Sequence, residues 1–228
     1  MTPSLAFPQL IAFDLDYTLW DLWIDTHAVS PLRREQQAIN CIADRYGSQI
    51  KFYPDVPEIL HSLVKTGVHV AVCSRTTTPD LHVPAREALS LLLLPAKPQK
   101  TLLDHFSHSS SKSKAAAEAE EGASSSSASE PIPARDFFDT MEIYPFFRSA
   151  AVEGSKLVHF KALHEKTGIP YDQMLFFDDE IRNKEVEKLG VTFILVRRGV
   201  DHDCYQKGLQ EWRRKRSGAS ASGSKTRR

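Results

Sequence analysis

At 228 residues, 41% of them hydrophobic, the chain is long enough to bury one sizeable α/β core. Lysine plus arginine equals aspartate plus glutamate at 29 each, and a formal charge of zero excludes a global pull toward nucleic acid or a membrane surface. No apolar run is long enough to span a bilayer, no charged-then-apolar leader is present, and Cys41, Cys73 and Cys204 offer neither a zinc spacing nor a disulfide framework. A single domain over 1–228 is expected, monomeric, and cytoplasmic with a nuclear location as the alternative; the basic stretch Trp212–Arg216 reads as a solvated helix end in preference to a nuclear signal.

The first element is a buried strand, Leu10–Phe13, which delivers Asp14-Leu15-Asp16-Tyr17-Thr18. Residues two apart on an extended chain share a face, so Asp14 and Asp16 leave the strand end pointing the same way. Two bare carboxylates about 7 Å apart repel by roughly 2 kcal/mol at an effective dielectric near 20. A site that holds a cation or handles protons has a reason to carry that cost. The aromatic and acidic run after Thr18 reads as a flap or loop, with Trp20, Trp23 and His27 as candidate substrate contacts. Residues 30–46 suggest a helix with a poor apolar face of Leu32, Ile39 and Ile42.

A helix follows from Asp55 to Val64, with an acid before its start, Pro57 in the first turn and Gly67 past its end. The second strand, Val68–Cys73, runs into Ser74-Arg75-Thr76, and Pro79-Asp80 open another helix reaching about Leu93. From Ser107 to Ser129 nothing apolar is larger than alanine, so this stretch is expected to be a disordered insertion, with irregular flanks at 97–106 and 130–136. A third strand around Met141–Tyr144 leads through a loop at 146–153 to Gly154-Ser155-Lys156. Ser155 is expected to cap the next helix, which ends at Gly168 and carries Lys156 in its first turn. A cation at a helix N-terminus opposes the dipole, and the two together make an anion site.

The fourth strand, Met174–Phe177, ends in Asp178-Asp179-Glu180. Ile181–Leu189 reads as a helix closed by Gly190, Val191–Val196 as the fifth strand, and Tyr205–Lys215 as the last helix. The basic tail, about 217–228, is expected to fray. Alternating strands and helices imply a parallel sheet of about five strands with right-handed crossovers. In such a sheet the ligand crevice lies at the carboxyl strand ends, where every unusual polar cluster falls.

The residue types suit phosphoryl transfer. A carboxylate can attack phosphorus, and a second carboxyl can protonate the leaving oxygen and then activate water. Ser74 and backbone N–H groups can hold phosphoryl oxygens, Lys156 can neutralise their charge, and Mg²⁺ lets a dianion approach several carboxylates.

Four stretches together, Asp14-Leu15-Asp16-Tyr17-Thr18-Leu19-Trp20, Ser74-Arg75-Thr76, Gly154-Ser155-Lys156 with His159-Phe160, and Phe176-Phe177-Asp178-Asp179-Glu180 with Arg182-Asn183, resemble the four motifs of haloacid dehalogenase superfamily phosphatases. More narrowly they are similar to the eukaryotic magnesium-dependent, acid phosphatase-like group. The resemblance implies a Rossmann-like three-layer α/β fold, Asp14 as nucleophile and Asp16 as general acid/base. It implies Mg²⁺ on the Asp14 carboxylate, the Asp16 carbonyl and Asp178, with Asp179 acting through water. Phosphate would be held by Ser74 and Lys156, helped by Arg75 and the Leu15 backbone, with Thr18 and Asn183 in support. The implied reaction is hydrolysis of phosphomonoesters, on protein phosphotyrosine or on sugar phosphates including phosphorylated glycation adducts. Compared with the family pattern, the loop before Lys156 is longer and the 107–129 insertion is extra.

Several rivals read less well. A halide leaving group needs no acid, which sets Asp16 against a dehalogenase proper. A receiver domain needs a central acid after a later strand, and none follows Cys73. Cysteine phosphatases need arginine six positions after the cysteine, where Gly47, Pro79 and Gln210 stand. A catalytically idle binding module is the alternative from another class. No cap is expected, because the insertion cannot fold into one, so the site should be open.

Overall fold

The computed structural model describes residues 7–34, 38–76, 82–95, 130–145 and 154–223. The expected insertion at 107–129, its flank at 97–106, the Pro79-Asp80 helix start, the 146–153 loop and residues 224–228 lie outside the described residues.

Leu10–Phe13 form β1, the central strand. His69–Thr76 form β2, Thr140–Pro145 β3, Met174–Asp178 β4 and Thr192–Leu195 β5. The sheet runs β3-β2-β1-β4-β5, every pair parallel. Phe13 stands opposite Val72 on one side and Phe177 on the other. The chain moves outward from β1 to β3, then returns to lay β4 against the free side of β1. That reversal opens a crevice at the carboxyl ends of β1 and β4. Asp14 follows β1, Asp178 ends β4, and Ser74 and Arg75 lie near the end of β2.

Strand alternation divides the core into two layers. Ile11, Phe13, Val70, Val72, Leu175 and Phe177 face one side, where α1 (Val56–Val64), α2 (His82–Leu91) and α4 (His202–Gly223) cover them. Leu10, Ala12, Ala71, Cys73, Met174 and Phe176 face the other, under α3 (Leu157–Thr167) and the segment around Val186. The expected three-layer α/β arrangement is therefore present.

Residues 30–46 depart from the expected helix. Among the described residues there, Ile42–Ala43 pair antiparallel with Gln49–Ile50. The cause is Asp44, whose carboxylate accepts the N–H groups of Val29, Tyr46 and Ser48 at 3.3, 2.9 and 2.8 Å. Such side chain-to-backbone bonds compete with a helix. Glu87 on α2 accepts from Ser30 Oγ and Leu32 N–H and holds the strand-like entry from outside.

Smaller differences concern boundaries. The 130–136 flank includes a short strand, Ile132–Pro133, before a 3₁₀ turn. Ile181–Leu189 is wound as 3₁₀. Asp55 makes no capping bond to α1; its carboxylate accepts from His202 N–H at 3.0 Å and joins α1 to the start of α4. That last helix continues to Gly223, beyond the expected onset of fraying near 217. The segment between β1 and α1 sends Leu19, Trp20, Ile24, Leu32, Ile42, Ile50 and Phe52 into the larger core layer, so it forms no separate cap. No helix among the described residues is long and apolar enough to cross a membrane.

The thinner layer leans on few large side chains. Phe160 of α3 is fully buried, edge-on to Phe176 at 4.9 Å between centroids. Phe160→Ala is expected to lower stability by about 3–5 kcal/mol in urea unfolding, through lost burial and the cavity it leaves.

Candidate active site

Lys156 brings the strand ends together. It stands one position before α3, not within its first turn, and its side chain is fully buried. The Nζ donates to Asp14 Oδ1 at 2.8 Å and to the Cys73 carbonyl, and lies 3.3 Å from Asp178 Oδ2. It also sits 5.5 Å above the Phe176 ring. Burial alone would lower the ammonium pKa, but Asp14 and Asp178 outweigh it and hold it above the usual value. Ser155, expected as a helix cap, accepts the Leu157 N–H on its hydroxyl at 3.2 Å and donates to Glu185 at 2.8 Å. Glu185 also accepts the Lys156 N–H at 3.0 Å, so it fixes the backbone from which the lysine reaches inward.

Asp16 has different company. Its Oδ1 accepts the Trp20 indole N–H at 2.7 Å and the Ile24 N–H at 3.1 Å. Burial, reinforced by the charge of Asp14, pushes its carboxyl up to about 8. The turn that aims it is tight: Tyr17 adopts φ +52°, and the Leu15 carbonyl accepts from Thr18, Leu19 and Trp20. Thr18 is buried there, and its hydroxyl has no partner among the described residues.

A second network locks the rim. Asn183 donates to both oxygens of Asp178, at 2.7 and 2.8 Å, and Glu180 N–H donates to Oδ1 at 2.7 Å. The Arg75 guanidinium donates to Asn183 Oδ1 at 3.0 Å, to the Gly154 carbonyl and to Glu180. Arg75 thus ties β2 to the loop before Lys156 and to the segment after β4. His159 sets the Ser74 backbone by donating Nε2–H to its carbonyl at 3.0 Å. Burial and the Lys156 charge depress this imidazole to about 3, so it stays neutral and keeps that donor role.

Asp14, Asp16, Tyr17, Trp23, Ser74, Arg75, Thr76, Asp179, Glu180 and Arg182 line one cavity of about 480 Å³, within the range of small-molecule sites. Three of the four sequence clusters share this wall, and the fourth reaches it from beneath through the buried Lys156 on Asp14 and Asp178. Of the three candidate substrate contacts, only Trp23 lines the cavity, 44% exposed. Trp20 is fully buried, stacked on Phe52 at 5.9 Å, and orients Asp16. His27 closes a local turn by accepting the Trp23 N–H on Nδ1. Sequence reasoning missed Glu180 and Glu185 as anchors. Glu180 lay within the Phe-Phe-Asp-Asp-Glu string, whereas nothing in the order of residues pairs Glu185 with Ser155.

The donor set fits a hard divalent cation. Carboxylate oxygens of Asp14, Asp178 and Asp179 all lie within 4.8 Å of one another. Magnesium takes such oxygen ligands, usually one or two carboxylates plus water and phosphate. Without a cation the cluster is overcharged: burial and neighbouring carboxylates push Asp179 up to about 7, and burial raises Asp178 above the usual carboxylate range. Asp16 is absent from this carboxylate cluster.

A parallel α/β sheet with an Asp-x-Asp-x-Thr turn after its central strand, a lysine from a later helix and an Asp-Asp pair at the switch point defines a haloacid dehalogenase-like hydrolase. The family model described as Acid Phosphatase matches residues 6–215, and the chain belongs to that family. It is 37% identical over 194 residues to a HAD-like hydrolase superfamily protein of Schizosaccharomyces pombe, covering 85% of this chain and 88% of that one. It is 34% identical over 212 residues to Magnesium-dependent phosphatase 1 of Homo sapiens, covering 92% and 90%. Among solved structures, CbbY from Rhodobacter sphaeroides in complex with phosphate matches at TM-score 0.44 and 13% identity, over 83% of this chain and 86% of that one.

Because the carboxylates repel until a cation joins them, Mg²⁺ is expected to raise the melting temperature. At a hundred times its dissociation constant the gain is about 2.7 kcal/mol. Asp178→Asn should abolish the shift, read by thermal melts with EDTA and with Mg²⁺.

Proposed function

We propose that the protein is a magnesium-dependent phosphomonoester hydrolase that works through an aspartyl-phosphate on Asp14. The observation that carries this reading is the lysine contact: Lys156 Nζ touches Asp14 and lies 3.3 Å from Asp178, although these groups come from three distant segments. Membership of the acid phosphatase family and the magnesium-dependent name of the human relative support it.

In this reading Asp14, with Lys156 fixing Oδ1, attacks phosphorus through its other oxygen. The bond from phosphorus to the leaving oxygen breaks, and protonated Asp16 gives that oxygen its proton. Asp16 then takes a proton from water, whose oxygen attacks phosphorus and returns Asp14 and inorganic phosphate. The transferring oxygens are held by Ser74 Oγ and the Leu15 N–H, and their charge is balanced by Lys156. Asp14, Asp178 and Asp179, with the Asp16 carbonyl, would hold Mg²⁺, which supplies charge neutralisation for the phosphoryl group. Arg75 keeps the rim closed through Gly154, Asn183 and Glu180 and stands in the phosphate wall.

The substrate class is protein phosphotyrosine or a sugar phosphate, reached through a cavity over which the described residues build no cap. The rings of Tyr17 and Trp23, 38% and 44% exposed beside Asp16, support an aromatic leaving group. An idle binding module would have no need of an acid held protonated beside a carboxylate–lysine cluster.

With Mg²⁺, wild-type protein is expected to hydrolyse p-nitrophenyl phosphate and Asp14→Asn to lose all turnover; a well-folded wild type inactive on every phosphomonoester tried would sink the assignment. Asp16→Asn should lower kcat/KM for alkyl phosphates about 10²- to 10⁴-fold and for p-nitrophenyl phosphate far less, because that leaving group departs without a proton, while kcat falls for both through the shared water step. Trp23→Ala should raise KM for a phosphotyrosine peptide roughly 2- to 10-fold, the scale of one aromatic contact, and leave KM for a sugar phosphate unchanged.

A further inference from the structure

A second cavity of about 570 Å³ adjoins the catalytic one, and the two share Tyr17 and Asp179 as walls. Its lining includes Arg197 and Arg198, in the loop that leaves β5 at the carboxyl edge of the sheet. Neither arginine has an ion-pair or hydrogen-bond partner among the described residues. Two acids also line the cavity: Asp21 accepts the Tyr53 hydroxyl at 2.9 Å, and Asp179 belongs to the carboxylate cluster.

The loop carrying the arginines is built into the site. At its start Val196 N–H donates to the Asp178 carbonyl at 2.9 Å, and at its end Val200 N–H donates to the Thr18 carbonyl at 2.9 Å. Between them Gly199 adopts φ +76° directly beneath Tyr53, where an added Cβ would lie 2.2 Å from the ring. Only glycine fits that approach. Two arginines without a partner among the described residues therefore stand on a loop fastened to the Asp178 and Thr18 backbones, in a cavity that shares Tyr17 and Asp179 with the catalytic one. A guanidinium recognises carboxylate and phosphate oxygens through paired N–H donors.

We propose that Arg197 and Arg198 form a second anion subsite, which binds a carboxylate or a second phosphate carried by the leaving group of the substrate. This rests on the phosphatase reading for its meaning but not for its test. The substrate class is then a phosphomonoester with a second negative group beyond the scissile one, and Tyr17 separates the two anions.

The test measures binding to full-length Asp14→Asn protein with Mg²⁺ by calorimetry, so that turnover plays no part. N-acetyl-O-phosphotyrosine and its C-terminal amide differ in one carboxylate; a sugar bisphosphate and the matching monophosphate differ in one phosphate. At least one pair is expected to show about tenfold tighter binding of the more anionic member, the scale of a charge-assisted contact. Arg197→Gln with Arg198→Gln should bring that ratio to about one, and each single change should lie between; both side chains are exposed, and a melt checks folding. The pair that responds names the second anion as carboxylate or phosphate. Ratios near one for both pairs in the Arg197/Arg198 background, or a ratio that survives the double change, would overturn the subsite. Wild-type protein that turns over none of the four esters would overturn the phosphatase reading and leave the binding ratios to decide the subsite.

Discussion

An ammonium group with no water around it governs this structure. Removing Lys156 from solvent carries a penalty of several kcal/mol, which only close opposite charges and hydrogen bonds can offset. Asp14 and Asp178 provide the charges and the Cys73 carbonyl a further acceptor, so three strands must come within reach of one nitrogen. Those strands are β1, β2 and β4, the pair at the switch point and its neighbour. The order of strands and the position of the lysine are thus one constraint seen from two sides.

The surrounding contacts keep this arrangement from relaxing. Arg75, Asn183 and Glu180 span the rim from β2 to the segment after β4, and Glu185 pins the Ser155 hydroxyl and the Lys156 backbone. Trp20 does the corresponding work for Asp16 from inside the core, stacked on Phe52. The outcome is two carboxyl groups, two residues apart in the chain, in opposite conditions: Asp14 faces a cation, whereas burial and the Asp14 charge favour the proton on Asp16 against the pull of its two N–H donors. A division of labour between nucleophile and acid follows from that contrast.

Much of this was legible beforehand because periodicity and end signals are local. Alternating and continuous apolar runs gave the five strands, and an acid-proline start with a glycine past the end gave α1. The clustering of acids, Ser74 and Lys156 at strand ends pointed to one rim once a parallel sheet was assumed. Residues 30–46 failed for a physical reason: Asp44 bonds three backbone N–H groups, two of them within four residues, while Glu87 pulls from a distant helix. The assignment of Trp20 as a substrate contact failed likewise, since its role depends on Asp16 and Phe52 being near at once.

What the chain order determined by itself is chemical inventory and local shape: which strands form, which acids end them, and that their types suit phosphoryl transfer. Only the tertiary structure decided which of those groups touch. It joined Lys156 to Asp14 and Asp178, turned Arg75 toward Glu180, sent Trp20 inward and left Trp23 at the cavity wall, and set Arg197 and Arg198 beside it. The physical reason is range. Hydrogen-bond propensity and hydrophobic period act over a few residues, whereas desolvation of a buried charge is settled by whatever the whole fold brings within about 3 Å of it.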